Sequence, residues 1–251
     1  MADIVKEMQE KGSRGQGVKG SSEEARHSVS LSLSPFVPSS SPRLFRRVLF
    51  LGAHTDDEFG CSGAMARFLE EGMDVHYCAF SPCEESVPAG FPRDVLRHES
   101  RAAMERLGVR DEHWRLYSFP VRHFPEHRQE ILEELVRLRE SVRPDLLLVP
   151  ATSDIHQDHE VVCREGLRAF KHVTVLGYEL PMNTVTFKHA CFIRLEERHV
   201  RQKIASLGCY ASQKFRTYTS EEFIRSLARV RGVQAGFEFA EAFEVIRWSW
   251  R

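Results

Sequence analysis

One histidine and three consecutive carboxylates follow a short apolar run in the first quarter of the chain. From Val48 to Glu58 the sequence reads V-L-F-L-G-A-H-T-D-D-E. Adjacent carboxylates repel one another unless a cation or another partner neutralises them. A histidine and an aspartate on one short loop suit Zn²⁺, which takes nitrogen and oxygen ligands at about 2.0–2.2 Å. This segment therefore predicts a divalent cation bound just after a buried strand.

A second polar cluster follows another apolar run much later in the chain. Residues 145–150 read D-L-L-L-V-P, and H-Q-D-H follows from His156 to His159. If the two runs are neighbouring parallel strands, both clusters emerge at one edge of the sheet, where open α/β sheets bind ligands. Three protein ligands plus a water molecule are typical of catalytic zinc, whereas structural zinc is usually closed by four. The predicted three-ligand set is His54, Asp57 and His159.

The predicted catalytic residues are Asp56, His156 and Asp158. Asp56 is left free, and a carboxylate beside a metal can accept a proton from a water molecule whose pKa the metal lowers. His156 would donate to an oxyanion as an imidazolium, or it would only orient its neighbours. Asp158 would orient a histidine from behind. Polar loop residues without a metal are the structural alternative for all of these positions.

Two further residues are candidates for binding substrate. Asp154 would either orient its own loop or contact the substrate, and the sequence leaves both roles open. Arg97 lies in a predicted helix and would reach a hydroxyl or a phosphate group of the substrate, unless it belongs to a solvated helix face. The loops at residues 81–91 and 183–189 are the segments expected to select the substrate.

Strand-like and helix-like stretches alternate from residue 44 onward, which predicts an α/β fold built on a doubly wound sheet. Short continuous apolar runs are typical of buried parallel strands. The predicted strands are residues 47–53, 75–80, 114–119 and 145–150, and the predicted helices are 58–71, 92–107, 125–142 and one from about 158. A less regular C-terminal third would hold strands near 173–180, 191–195 and 242–248, and helices near 197–207 and 221–229. We expect one mostly parallel, Rossmann-like sheet with helices on both faces.

Composition narrows the function classes. The net charge of −1 favours neither nucleic acid nor an anionic membrane as a partner, and no apolar run approaches the ~20 residues of a membrane span. Six cysteines without a C-x-x-C pair indicate reduced thiols in a cytoplasmic protein. The Ser-rich residues 1–43 are expected to be a disordered N-terminal extension, with a single domain at 44–251. A dinucleotide enzyme is disfavoured because no G-x-G-x-x-G follows the first strand.

Together, the two histidine–acid motifs resemble those of the LmbE-like or PIG-L deacetylase family, which usually read A-H-P-D-D-E and H-x-D-H. The resemblance covers about four-fifths of the chain, from residue 48 onward, and includes a weaker match at Tyr210–Gln213. Thr55 departs from the pattern because proline is usual there. Threonine lacks the fixed φ of proline, but it supplies no ligand, so we expect activity to survive.

The resemblance implies a Zn²⁺-dependent enzyme that removes the acetyl group from an N-acetylglucosamine-type sugar conjugate. It implies His54, Asp57 and His159 as metal ligands, Asp56 as general base and His156 as the stabiliser of the tetrahedral intermediate. Fe²⁺ or another divalent ion could use the same ligands. The expected partner is a small N-acetylated sugar, and a homo-oligomer is possible. The alternatives are a metal-containing sugar-binding or regulatory protein without hydrolysis, and the same chemistry on an acylated antibiotic or thiol-glycoside intermediate.

Overall fold

The computed structural model describes residues 44–249, so the predicted disordered extension at residues 1–43 lies outside the described residues. Within residues 44–249, seven strands form one sheet. They are β1 (Arg47–Gly52), β2 (Asp74–Ala79), β3 (Trp114–Leu116), β4 (Leu146–Pro150), β5 (Thr174–Tyr178), β6 (Cys191–Leu195) and β7 (Phe239–Arg247). Their order across the sheet is β3-β2-β1-β4-β5-β7-β6. Strands β1 to β5 pair in parallel, whereas β7 pairs antiparallel with both β5 and β6.

Helices cover both faces of the sheet, as the alternating pattern predicts. They are α1 (Ser62–Glu70), α2 (Val95–Leu107), α3 (Arg128–Val142), α4 (Gln157–Ala169), α5 (Glu197–Leu207) and α6 (Glu221–Ala235). Val48 and Phe50 of β1 belong to the core that contains residues of α1, α2, α5 and α6. Leu49 and Leu51 point the other way and belong to the core that contains residues of α3 and α4. Burial on both faces explains why β1 is a continuous apolar run.

Three predicted helices begin later than the sequence indicates, and α2, predicted from residue 92, begins at Val95. The helix predicted from residue 58 starts with a 3₁₀ turn at Asp57–Gly60, and α1 itself begins at Ser62. The helix predicted from residue 125 likewise follows a 3₁₀ turn at Phe124–His127. A hydrogen bond joins each turn to one of the polar clusters. The Asp57 carboxylate accepts a hydrogen bond from the His54 N–H, and the Asp158 carboxylate accepts one from the Phe124 N–H. These bonds favour a local turn over a regular helix start.

The C-terminal part is more regular than predicted. Strand β7 begins at Phe239 and is inserted between β5 and β6, so the last third of the chain completes the sheet. Helix α6 continues to Ala235, six residues past its predicted end, and Gly236 ends it with a φ of 75°. Glycine adopts that left-handed conformation readily, which makes it a common helix terminator. No helix among residues 44–249 has both the length and the apolar composition of a bilayer span.

Candidate active site

The two polar clusters meet because β1 and β4 are adjacent parallel strands. Val48 pairs with Leu146, so both strands end at the same edge of the sheet. His54 and Asp57 follow β1, and helix α4 follows β4. The side chains of His54, Asp57, His156 and His159 border a cleft with about 180 Å³ of free volume. The structure therefore brings the two motifs together, as the sequence predicts.

Three of the clustered atoms are spaced like the ligands of one metal ion. His54 Nδ1 lies 3.0 Å from His159 Nε2. Asp57 Oδ1 lies 3.4 Å from His159 Nε2 and 3.7 Å from His54 Nδ1. Ligands that surround Zn²⁺ tetrahedrally at about 2.1 Å stand about 3.4 Å from one another. The donor atoms of the predicted ligand set therefore fit an ion of this size.

A carboxylate holds the outer nitrogen of each candidate histidine ligand. His54 Nε2 lies 3.0 Å from Asp158 Oδ2, and His159 Nδ1 lies 2.8 Å from Asp154 Oδ2. Asp158 Oδ2 also accepts a hydrogen bond from the Arg122 N–H at 2.6 Å. These pairs leave His54 Nδ1 and His159 Nε2 to face each other and Asp57. Metal-binding histidines are usually oriented by such carboxylates.

Asp154 and Asp158 each contact a histidine, which agrees with the orienting role predicted for Asp158 and with one of the two roles left open for Asp154. The Asp154 side chain is buried, and Asp154 Oδ1 accepts a hydrogen bond from the His156 N–H at 2.8 Å. Of the two roles left open for Asp154, orienting the loop is the one that these contacts support. Asp158 is fully buried behind His54 and acts through that histidine.

His156 lines the cleft, and the hydrogen bond that its ring accepts favours a neutral imidazole over the predicted imidazolium. Its Nδ1 accepts a hydrogen bond from the Asp158 N–H at 3.1 Å, so Nε2 carries the ring proton. Burial, followed by the positive charges of His159 and His54, lowers the pKa of His156 to about 4. Ring nitrogens of the three histidines lie within 4.8 Å of one another, so His156 is also close enough to be a ligand.

Without a metal, protons balance the charge of this cluster. Burial raises the pKa of Asp57, but the positive charges of His159 and His54 outweigh burial and hold it well below its ordinary value. Burial lowers the pKa of His159, but Asp57 and Asp154 outweigh burial and raise it to about 10. A cation that displaces these protons would restore the same balance.

Asp56 lines the cleft beside the ligand set. The Tyr218 hydroxyl donates to Asp56 Oδ2 at 3.4 Å. Burial raises the pKa of Asp56 and repulsion from Asp57 raises it further, while His54 and Arg216 oppose the change. A carboxylate with a raised pKa is better suited to accept a proton near neutral pH.

Two tyrosines fix the loop at Thr55, the position where proline is usual. The Thr55 carbonyl accepts a hydrogen bond from the Tyr77 hydroxyl at 2.7 Å and another from the Tyr210 hydroxyl. Thr55 and both tyrosines are buried. Side-chain hydrogen bonds therefore hold the peptide that a proline ring would otherwise stiffen.

The cleft wall includes three residues that the sequence analysis missed, namely Arg122, Arg216 and Tyr218. Arg122 has a φ of 71°, a left-handed conformation that no turn signal predicts for arginine. Arg216 and Tyr218 lie in the segment between α5 and α6, just after the weak family match at Tyr210–Gln213. That match is the one sequence signal that points to this wall.

The segments expected to select the substrate do contribute to the wall, through Ser86 and Asn183. Arg97 is different: among the residues that the structure describes, its neighbour Leu96 lines the cleft and Arg97 does not. Contact between Arg97 and a substrate therefore stays a prediction.

Comparison with known proteins agrees with the fold and with both motifs. Residues 49–170 match the family described as PIG-L: GlcNAc-PI de-N-acetylase. The uncharacterized deacetylase YaiS of Escherichia coli (strain K12) is 26% identical over 179 residues, which cover 69% of this chain and 95% of YaiS.

Solved structures share the same fold at low sequence identity. GalB, the 4-carboxy-2-hydroxymuconate hydratase from Pseudomonas putida KT2440, has a TM-score of 0.68 and 20% identity, with 82% of this chain and 98% of GalB covered. N,N'-diacetylchitobiose deacetylase from Pyrococcus horikoshii has a TM-score of 0.65 and 16% identity, with 80% and 84% covered. Both histidine–acid motifs lie within residues 49–170, so the chain is similar to the PIG-L family in the part that carries the site.

Proposed function

We propose that the protein is a metal-dependent N-deacetylase, a hydrolase that removes the acetyl group from an N-acetylglucosamine-type sugar conjugate. The observation that carries this proposal is the convergence of His54 Nδ1, Asp57 Oδ1 and His159 Nε2 within 3.7 Å of one another. Asp56 stands beside them on the same cleft.

His54, Asp57 and His159 would hold Zn²⁺, and Fe²⁺ or another divalent ion could use the same donor atoms. When bound, the ion lowers the pKa of a water molecule toward ~7 and polarises the amide carbonyl. The protein keeps the two imidazoles in the required tautomers through Asp158 and Asp154. This support fixes which ring nitrogens are available as ligands.

Asp56 is the residue that moves the proton. Its carboxylate would accept a proton from the attacking water and then deliver it to the departing amine nitrogen. The Tyr218 hydroxyl orients this carboxylate. The raised pKa of Asp56, caused by burial and then by Asp57, favours the first transfer because it makes this carboxylate a stronger proton acceptor than an ordinary aspartate.

His156 would stabilise the negative charge that develops on the amide oxygen. The Nε2–H is the free donor of this ring, since Nδ1 is already occupied by the Asp158 N–H. A preorganised donor aimed at a developing oxyanion accelerates acyl transfer without needing a formal positive charge. The neutral form therefore keeps the role that the sequence assigned to His156.

The substrate class is supported by the relatives, and the fold alone does not fix it. YaiS is named as a deacetylase, the Pyrococcus horikoshii protein is an N,N'-diacetylchitobiose deacetylase, and GalB is a hydratase on the same fold. Asp56 and His156 favour hydrolysis over simple sugar binding, because a binding protein would need neither role. A cytoplasmic location and a homo-oligomeric state stay predictions from the sequence.

The test is acetate release from a panel of N-acetylglucosamine conjugates, N-acylated glycopeptide antibiotics and N-acetylated thiol glycosides. The protein would be assayed as purified, after chelation, and after addition of Zn²⁺. We expect release that chelation abolishes and Zn²⁺ restores. Tight sugar binding without turnover of any compound by the zinc-loaded protein would instead establish the binding protein.

A further inference from the structure

The part of the cleft wall that carries Arg216 and Tyr218 is built from short turns. Between α5 and α6 the chain forms 3₁₀ turns at Ala211–Gln213 and Thr217–Thr219. The Tyr218 hydroxyl nevertheless lies 3.4 Å from Asp56 Oδ2, the carboxylate to which we assign proton transfer. A 3₁₀ turn has poorer hydrogen-bond geometry than an α-helix, so side-chain contacts have to hold this wall in place.

Four side chains form a hydrogen-bonded relay from this wall to α2. Arg216 Nε–H donates to Gln213 Oε1 at 2.7 Å, and Gln213 Nε2–H donates to Ser212 Oγ at 3.0 Å. The Ser212 hydroxyl donates to Glu99 Oε2 at 2.5 Å, and the Ser212 N–H donates to Glu99 Oε1 at 2.8 Å. Because a guanidinium can only donate and a carboxylate can only accept, every bond of the relay points from Arg216 to Glu99. Hydrogen bonds aligned in this way strengthen one another.

Glu99 is a buried carboxylate whose cation lies at the far end of the relay. Among residues 44–249, both of its oxygens are held by Ser212, and no basic side chain forms an ion pair with it. A buried charge is costly unless another charge and hydrogen bonds balance it. Arg216 is the cation that the relay joins to Glu99. The neutral links, Ser212 and Gln213, are also buried, so water competes little for these hydrogen bonds.

The other end of the relay supports the tyrosine that contacts Asp56. The guanidinium carbon of Arg216 lies 5.7 Å from the centre of the Tyr218 ring, a distance at which a cation and an aromatic face attract each other. The Tyr218 ring also packs against Phe59, with centroids 5.4 Å apart. Phe59 belongs to the 3₁₀ turn that begins with the candidate ligand Asp57. Tyr218 therefore contacts both the relay and the turn that carries a ligand.

We propose that Glu99 is a positioning residue of the deacetylase. Through the relay it holds the Tyr218 hydroxyl in place, and that hydroxyl orients the Asp56 carboxylate for proton transfer. The inference rests on the proposed function and adds a residue to it. Glu99 itself is not among the residues of 44–249 that line the cleft, so it acts through the relay. Loss of the relay should therefore slow the chemical step and leave substrate binding nearly unchanged.

The first test is Glu99→Gln in the zinc-loaded, full-length protein. The new amide keeps the size of the side chain but offers Ser212 Oγ a donor in place of an acceptor, so the direction of the relay is broken. With an N-acetylglucosamine conjugate as substrate, kcat should fall about ten- to a hundredfold and KM should change less than about twofold. The control is Glu105→Gln, an exposed glutamate of the same helix, which should change neither. A normal kcat in Glu99→Gln protein, or a loss carried by KM alone, would overturn the positioning role.

A bypass variant separates positioning from packing. Gln213→Glu places a carboxylate directly against Arg216, so the arginine no longer depends on the charge of Glu99. In the Gln213→Glu background, Glu99→Gln should lower kcat less than about threefold, because the two positions then act independently. An equal loss of kcat in both backgrounds would mean that Glu99 acts by packing, and the relay would be overturned.

A measurement without turnover separates this inference from the proposed function. In protein with ¹⁵N-labelled arginine, NMR follows the Nε–H of Arg216, and its signal is assigned by its absence in Arg216→Lys protein. Exchange of this proton with water should be about tenfold faster in Glu99→Gln protein and unchanged in Glu105→Gln protein. If no sugar is hydrolysed but exchange accelerates, the deacetylase proposal fails and the relay stands. If sugars are hydrolysed but Glu99→Gln leaves exchange unchanged, the positioning role fails alone.

Discussion

Two buried charged clusters contact the chain segment that runs from His54 into α1, and their charges are balanced in different ways. In the first, the Glu241 carboxylate accepts hydrogen bonds from the N–H groups of Gly63 and Ala64 at 3.1 and 2.6 Å. Lys203 Nζ completes this cluster by donating a hydrogen bond to Glu241 Oε1 at 2.7 Å. In the second, His54, Asp57 and His159 bring their donor atoms together at the wall of an open cleft.

The difference distinguishes a cluster whose charges the chain balances itself from one whose charges it leaves to be balanced by protons or by a metal. The chain itself supplies the counter-charge of Glu241, through Lys203 and the first amides of α1, so that cluster is complete. Around the two imidazoles the chain instead places the carboxylates of Asp57, Asp154 and Asp158. Buried charges are tolerated when they are paired, and here the pairing charge has to come from protons or from a metal.

The largest effects should come from the cluster of His54, Asp57 and His159, which we call the open cluster. Some variants there should lose turnover alone, and others should lose both turnover and metal. Asp56→Asn should lower kcat by about 10²–10⁴-fold, the usual contribution of a positioned general base, and keep the bound Zn²⁺. His159→Ala should lose both activity and metal, because one of three ligands is gone. Measuring both the metal content and the initial rates of the two variants checks this prediction. Near-normal turnover by Asp56→Asn would make the general-base assignment wrong.

We call the cluster of Glu241, Lys203 and the first amides of α1 the closed cluster. Changes there should lower the free energy of unfolding and leave metal binding unaffected. Lys203→Met leaves the Glu241 carboxylate buried without its cation, a change that costs about 3–5 kcal/mol of unfolding free energy. Urea denaturation measures this cost. Arg164→Met is the control, since it breaks an exposed pair with Glu160 and should cost no more than about 1 kcal/mol.

The same variants test whether the two clusters are independent of each other. Lys203→Met protein should still bind Zn²⁺ at the wild-type stoichiometry below its unfolding temperature. Adding Glu241→Gln to Lys203→Met should recover part of the lost stability, because the unpaired charge is then removed. A loss of zinc in the folded Lys203→Met protein would show that the two clusters are coupled.

The sequence predicted the open cluster because its residues lie close together in the chain. Asp57 is three residues from His54, His156 is three residues from His159, and each pair follows an apolar run that forms a strand. A short-range spacing of this kind fixes which side chains share a loop. The remaining step, that β1 and β4 are neighbours, follows from the usual order of a doubly wound sheet.

The closed cluster and the cleft walls could not be predicted in this way. Lys203 and Glu241 are 38 residues apart, and Tyr218 reaches Asp56 across 162 residues. Such contacts depend on how α5, β7 and the irregular segment before α6 pack, which no local pattern encodes. The conformation of Arg122 is another example, because its positive φ accompanies a hydrogen bond to Asp158, 36 residues away.

An intermediate effect is expected from the carboxylate behind His159. Asp154→Asn keeps the size of the side chain but removes the charge that orients the imidazole, so Zn²⁺ affinity should fall about 10–100-fold. Competition against a chelator of known affinity measures the change. Asp145→Asn is the control, because that carboxylate accepts hydrogen bonds from the backbone N–H groups of Arg46 and Arg47 at the other end of β1. Unchanged zinc affinity in Asp154→Asn protein would remove Asp154 from the site.

The smallest effect, counted per pH unit, is a dependence of zinc affinity on pH, which also follows from the open cluster. Burial lowers the pKa of His159, but Asp57 and Asp154 raise it to about 10, so the metal-free histidine is protonated at neutral pH. Zn²⁺ binds the neutral imidazole, so binding must release that proton. Affinity should therefore rise with pH, by about tenfold per unit for each proton released, between roughly pH 6 and 8. Calorimetry in buffers of different ionisation enthalpy counts the protons directly.

Zn²⁺ binding to Asp154→Asn protein should release fewer protons, because the pKa of the metal-free histidine falls when its partner loses its charge. A proton count of zero in the wild-type protein would mean that His159 is neutral before the metal arrives.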